Sequence, residues 1–257
     1  MLRSIFHRST YSFRIFLLTK FPFIVSAFYK LLWSPKKPLD QFLNDFSKKN
    51  DDIFFIQVGS NDGFQNDPIH KFIMRDKWKG LMMEPQHKPF KILSSIYSNG
   101  SVTVINKAID KINQKRNLYR FSFTDARWAT GLSSFKKSQL EQLINNGSLQ
   151  RKLEKENITP TENEEEYITY DEVDCTNFET LLIDNKVQKI DLLHIDTEGY
   201  DFEIIKQFDF HKQKPKVIIF ERTHLSDADQ NACKSLLEAQ DYSLNDFDAD
   251  TVAQLNN

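Results

Sequence analysis

From residue 51 onward, short runs of consecutive apolar residues alternate with longer stretches in which apolar positions recur every three or four residues. The runs predict strands at 53–58, 80–83, 102–106, 190–196 and 217–221, apolar almost throughout, as befits strands covered on both faces. The periodic stretches predict helices at 67–75, 89–97, 177–185, 200–208 and 226–239. Such alternation predicts a doubly wound α/β domain, a parallel sheet with crossover helices. Two regions break the rhythm. An extended piece at 118–123 prolongs the third strand or forms a hairpin, and a helical stretch follows from Phe135 towards Glu156. Residues 161–166 carry four glutamates, which cannot be packed together, so an exposed loop is expected there.

The N-terminal segment follows neither pattern. Residues 1–33 interleave cations with Phe, Leu, Ile and Trp, but Lys20 and Pro22 interrupt the apolar run short of the roughly 18–20 residues of a clean membrane span. No small-residue cleavage site follows, which argues against a signal peptide. Two readings stand side by side: an interfacial helix making peripheral contact with a membrane, or aromatics that pack on the domain or bind a partner. Pro35 and Pro38 mark a hinge, dividing the chain into a basic amphipathic extension, residues 1–39, and a globular domain, residues 40–257.

Charge sharpens this division. Arg3, Arg8, Arg14, Lys20, Lys30, Lys36 and Lys37 give the extension +7 with no acid, so the net −2 of the chain leaves −9 for the remainder. An acidic globular part without a basic stripe argues against a nucleic-acid partner. Cys175 and Cys233 show neither metal-ligand nor redox spacing, which favours a reducing compartment. The expected location is the cytoplasm, with peripheral contact at the inner face of a membrane through residues 1–33. Nothing in the pattern sets an oligomeric state.

Candidate chemistry sits at the strand ends. The first strand runs into Gly59-Ser60-Asn61-Asp62-Gly63, where glycine at both ends lets the chain turn sharply and a ligand touch bare backbone. The spacing is neither the G-x-G-x-x-G of dinucleotide enzymes nor a P-loop, which argues against a nicotinamide oxidoreductase on the same sheet type and against phosphate as the ligand. Asp62 would repel pyrophosphate and suit a sulfonium or amino group, or else makes the local hydrogen bonds of a tight turn. Glu84, before Pro85 and 21 residues past Gly63, ends the second strand where an acid can accept ribose hydroxyls. The fourth strand delivers His194, Asp196 and Glu198 to its carboxyl end, on one side if the backbone stays extended, before a turn at Gly199. The fifth brings Glu221 and His224 to the same edge.

Val58-Gly-Ser-Asn-Asp-Gly63, Glu84-Pro85, Gly131-Leu-Ser-Ser134 and Ile190-Asp-Leu-Leu-His-Ile-Asp-Thr-Glu-Gly-Tyr-Asp201, in this order, resemble the FkbM family of S-adenosylmethionine-dependent methyltransferases over roughly residues 51–252. The resemblance implies a seven-stranded class I methyltransferase sheet, Rossmann-like, with S-adenosyl-L-methionine over its carboxyl edge. It implies that Gly59 to Gly63 wrap the methionine part, that Glu84 beside Pro85 holds the ribose, and that Asn106 to Asp110, Ala108 among them, border the adenine. Asp196 and Glu198 then fall between cofactor and acceptor. His194 departs from the pattern, since the family more often has Lys there.

The implied reaction is O-methylation of a hydroxyl on a sugar, glycan or small metabolite, which needs a general base as the acceptor attacks. Asp196 is the first candidate, followed by His224, Glu198 and Glu221. The same four could gather round a divalent metal, an alternative not adopted here. A rival reading is a non-catalytic, membrane-tethered binding module on the same fold.

Overall fold

The computed structural model describes residues 2–97 and 100–256. Its strands are β1 (Phe54–Val58), β2 (Lys79–Met83), β3 (Val102–Ile105), β4 (Ala108–Ile109), β5 (Gln114–Phe121), β6 (Ile168–Thr176), β7 (Leu192–Ile195), β8 (Val217–Glu221), β9 (Tyr242–Phe247) and β10 (Asp250–Leu255). Helices α1 (Leu2–Lys20), α2 (Pro22–Leu31) and α3 (Pro38–Lys49) precede β1; α4 (His70–Asp76) and α5 (His87–Tyr97) flank β2. The long connection from β5 to β6 carries α6 (Arg127–Thr130), α7 (Lys137–Asn145) and α8 (Ser148–Glu156), while α9 (Phe178–Asp184), α10 (Asp201–Ile205) and α11 (Asp227–Glu238) alternate with the later strands.

Seven strands form the main sheet in the order β3-β2-β1-β7-β8-β10-β9, the seven-stranded α/β sheet expected from the motifs. The first five strands in this order, β3 to β8, pair in parallel, and β10 alone runs antiparallel to both neighbours. The chain winds outward from β1 to β3 and then returns to β7 on the other side, so the carboxyl ends of β1 and β7 border a topological switch point, where such sheets bind ligands. Alternation along the strands feeds two cores. Ile56, Val58, Leu193, Ile195 and Phe220 pack under α9, α10 and α11, whereas Phe55, Met82, Leu192, Ile219 and Val252 pack under α1, α3, α4 and α5.

Several expectations need correction. The single helix from Phe135 is two, α7 and α8, because Gly147 at φ +71° breaks the run between them. The 118–123 piece belongs to β5, which pairs antiparallel with β6 in a separate three-stranded sheet rather than prolonging β3. The fourth strand ends at Ile195 instead of 196, and Glu198, at φ +51°, leaves the extended conformation, so alternation does not carry through the acids. β6, β9, β10 and α3 had no counterpart among the predicted elements.

The N-terminal segment packs on the domain. Leu18 is buried in the second core, and Tyr11, Ile15, Val25, Tyr29 and Trp33 lie against it. The Ser26 hydroxyl donates to the carbonyl of Met74 at 2.8 Å.

Candidate active site

The turn after β1 is shaped by what touches it. The amides of Gly59 and Ser60 both donate to the Met83 carbonyl, at 3.0 and 2.9 Å, which ties the turn to the end of β2. Gly59 has φ +82°, and a Cβ there would lie 1.9 Å from the Asp196 carbonyl oxygen, so no other residue fits. Gly63, at φ +70°, is required for a different reason: a Cβ would meet Leu93 at 2.2 Å, so the turn packs directly on α5.

A cleft of about 640 Å³, measured out to open solvent, lies over the switch point. Gly59, Asn61, Glu84, Pro85, Ala108, Asp196 and Glu198 line it. Ser60, Asp62, Gly63, Glu221 and His224 do not. Asp62 is 1% exposed and fully engaged: one oxygen accepts the amides of Phe64 and Gln65, and the other accepts the Tyr11 hydroxyl and the Arg127 Nε, both at 3.1 Å. Its carboxylate serves the turn and does not line the cleft, which corrects the expectation that it meets the cationic part of a cofactor.

Glu84 is 2% exposed at the tip of β2. Its oxygens accept the amides of Asn61 at 2.8 Å and Gln86 at 2.7 Å, which fixes the carboxylate at the wall of the cleft. Burial raises its pKa to about 7 despite those amides. Beside it, the buried Asn61 Oδ1 has no partner, while Asn61 Nδ2 reaches the Thr130 hydroxyl at 3.3 Å.

On the β7 side, among the described residues no hydrogen bond ties down the Asp196 carboxylate. Glu198 Oε2 lies 3.0 Å from His224 Nε2, and Glu221 Oε1 lies 3.6 Å from the same nitrogen. Burial, followed by the charges of Asp196 and Glu221, pushes the Glu198 carboxyl up. Asp196 is raised by burial and then by Glu221, while burial pulls the His224 imidazole down. Asp201, completely buried, joins this turn to β8 by accepting the Thr197 hydroxyl at 3.0 Å and the amides of Gly199 at 3.2 Å and Glu221 at 3.3 Å. His194 is 2% exposed, lies off the cleft and is held neutral by burial, with its pKa pushed down to about 4.

Sequence reasoning missed part of the wall. Gln86, Arg127, Thr130, Ser133 and Tyr200 also line the cleft. Gln86 is threaded into the β5–β6 connection, donating to the Thr130 carbonyl at 2.9 Å and accepting from the Ser133 hydroxyl at 3.0 Å. Gly131-Leu-Ser-Ser134 was the signal for this wall, though the pattern did not say which side chains it would turn inward. Asn106 supports the rim from behind, its amide donating to the carbonyls of Glu84 and Pro85 at 2.8 and 2.9 Å.

A family model described as the methyltransferase FkbM domain matches residues 57–247. No curated protein matches the chain. Among solved structures, the chain is similar to an O-methyltransferase from Bacillus cereus in complex with SAH, at a TM-score of 0.42 and 12% identity over 93% of this chain and 90% of that one. It is also similar to a precorrin-6y C5,15-methyltransferase from Geobacter metallireducens GS-15, at a TM-score of 0.38 and 10% identity over 83% of this chain and 78% of that one.

Proposed function

Because the chain belongs to the FkbM methyltransferase family, we propose that it transfers a methyl group from S-adenosylmethionine to a hydroxyl of a sugar, glycan or small metabolite. The observation that carries this reading is Glu84, a buried carboxylate at the β2 tip that lines the cleft and is held by two backbone amides, the residue type and position that accept ribose hydroxyls in such folds. The remaining surfaces fit the same group. Gly59 offers bare backbone, the unpartnered Asn61 Oδ1 can accept from an amino group, and Asp196 and Glu198 favour a positive charge. When bound, the cofactor supplies a methyl group on positive sulfur.

The residues of the chain then have three tasks. The turn and Glu84 hold the donor, the walls of the cleft orient the acceptor in line with it, and a base takes the acceptor proton. Asp196 suits the last task best, since it lines the cleft and among the described residues no hydrogen bond holds its carboxylate elsewhere. His224 and Glu221 lie behind Glu198 and act through it, passing a proton outward or fixing its carboxylate. The acidic globular part favours an uncharged acceptor over a nucleic acid.

Calorimetry with S-adenosylmethionine tests the reading, and no binding by the pure protein would sink it. Glu84→Ala should weaken cofactor affinity at least about tenfold, the loss expected when a charged hydrogen-bonding partner is removed. Incubation with methyl-labelled cofactor and fractionated cell extract then identifies the acceptor class from the labelled product. One observation favours a metal-assisted form of the same reaction: ligand atoms of Glu198, Glu221 and His224 all lie within 4.8 Å of one another. Dialysis against a chelator discriminates. Activity lost and then restored by a divalent cation supports the assisted form, and activity unchanged removes it.

A further inference from the structure

Large apolar side chains are exposed at eight positions between Phe13 and Leu32 and at only three elsewhere among the described residues. Phe13 is 59% exposed, Phe23 68%, and Leu31 and Leu32 77% each. Soluble surfaces scatter such residues singly, and a contiguous group marks an interaction site. The opposite faces of the same helices are occupied, with Leu18 buried, Tyr11, Ile15, Val25 and Tyr29 against the core, α1 packed on α5 and α2 on α4. The helices are therefore apolar on both sides, one turned to the protein and the other left bare.

From this arrangement we infer that α1 and α2 form a monotopic anchor that seats the protein in the surface of an anionic lipid bilayer. The patch does not suit a crossing. Among the described residues no single helix is long and apolar enough to span, and the two helices meet at 101° around Phe21. One face of each is committed to the domain, whereas a spanning helix shows lipid all round. It does suit an interface. Lys20, Lys30, Lys36 and Lys37 are exposed in the same segment as the apolar residues, and residues 1–39 contain no acid. Aromatic and aliphatic side chains enter the headgroup boundary while cations meet anionic lipid. A second copy is the poorer occupant, because face-to-face pairing would set +7 against +7.

The anchor also lies close to the cleft. Tyr11 touches the glycine turn through Asp62, and Phe13 and Phe16 follow it within about two helical turns, roughly 11 Å along the axis. Docking on lipid through this patch sets the active-site turn near the membrane surface. The inference itself stands on surface chemistry and does not depend on the methyl-transfer reading.

Flotation of the full chain with vesicles tests it, using phosphatidylcholine alone or with added phosphatidylglycerol. The expected result is flotation with the anionic vesicles and at least about tenfold weaker binding to phosphatidylcholine alone, since each nearby cation contributes on the order of 1 kcal/mol at an anionic surface. The combined variant Phe23→Glu, Leu31→Glu, Leu32→Glu should remain in solution with an unchanged melting temperature. The combined variant Lys30→Glu, Lys36→Glu, Lys37→Glu should retain the fold and lose the preference for anionic lipid. Failure of the wild-type chain to float with either vesicle overturns the inference. So does equal binding to both, undiminished binding by the apolar variant, or a dimer in light scattering that the apolar variant dissociates.

Discussion

The Asp196 carboxyl stands at the centre of the proposed chemistry because the residue lines the cleft and, among the described residues, its carboxylate makes no hydrogen bond. Its burial and the neighbouring Glu221 raise its pKa, so the sign of its effect on rate follows directly. A base works only when unprotonated, and a raised pKa keeps the proton on Asp196 over more of the acid range. The rate should therefore rise with pH through an inflection well above the ordinary value of about 4 for aspartate. Asp196→Asn should remove that inflection and lower kcat by roughly 10²–10⁴, with cofactor affinity by calorimetry changed far less. A profile unchanged in the variant would assign the proton to another group, with His224 next in line through its 3.0 Å contact with Glu198. The acids at 196, 198 and 221 were legible in the sequence because strand ends announce themselves. The engagement of Asp62 was not, since its partners Tyr11 and Arg127 lie 51 and 65 residues away.

At the scale of elements, legibility followed hydrophobic content. β1, β2, β3, β7 and β8 are the near-continuous apolar runs of a sheet covered on both faces, and all were anticipated. β6 was not, because Ile-Thr-Tyr-Asp-Glu-Val-Asp-Cys-Thr exposes its acids and buries little before Val173. β9 and β10 escaped for a related reason: their polar residues look like a loop until antiparallel pairing with β8 supplies the register. Glycines at element boundaries permit a paired prediction. Gly59 and Gly147 have similar backbones, φ +82° and +71°, but different surroundings. At Gly147 the nearest atom to an added Cβ is an Arg151 nitrogen 3.4 Å away, at the end of a flexible side chain. Gly147→Ala should therefore lose only the left-handed penalty, roughly 1–2 kcal/mol. Gly59→Ala adds a collision with backbone at 1.9 Å and should melt at clearly lower temperature and lose cofactor binding. Equal melting temperatures for the two variants would contradict this account of the turn.

For the whole molecule, the consequential feature is that a segment outside the matched family region, residues 57–247, packs against the glycine turn after β1. The composition of residues 1–33 could not decide between a membrane surface and the domain as their partner, because an amphipathic pattern with apolar residues on both faces satisfies either. One face rests on the domain, α2 against α4 and α1 reaching the turn. The Tyr11 ring stacks on Phe64 with centroids 5.3 Å apart, Arg14 lies over the same ring at 5.0 Å, and the Tyr11 hydroxyl donates to Asp62. Burial and the Asp62 charge push the Tyr11 phenol well above its ordinary pKa, so it remains a donor at every working pH. Asp62 in turn organises the amides of Phe64 and Gln65, so a donor lost at Tyr11 is felt by the backbone of the turn whose Gly59 and Asn61 line the cleft. Tyr11→Phe keeps the stacking ring and removes one hydrogen bond to a buried carboxylate, a loss of roughly 1.5–3 kcal/mol. It should lower the melting temperature and weaken S-adenosylmethionine binding in calorimetry, while leaving vesicle flotation unchanged because the exposed apolar face is intact. A lower melting temperature with unaltered affinity would mean that the helix props the domain without shaping the turn. Loss of affinity would make the N-terminal helix part of the active site, and any partner that seats its outer face would then be coupled to cofactor binding through a single hydroxyl.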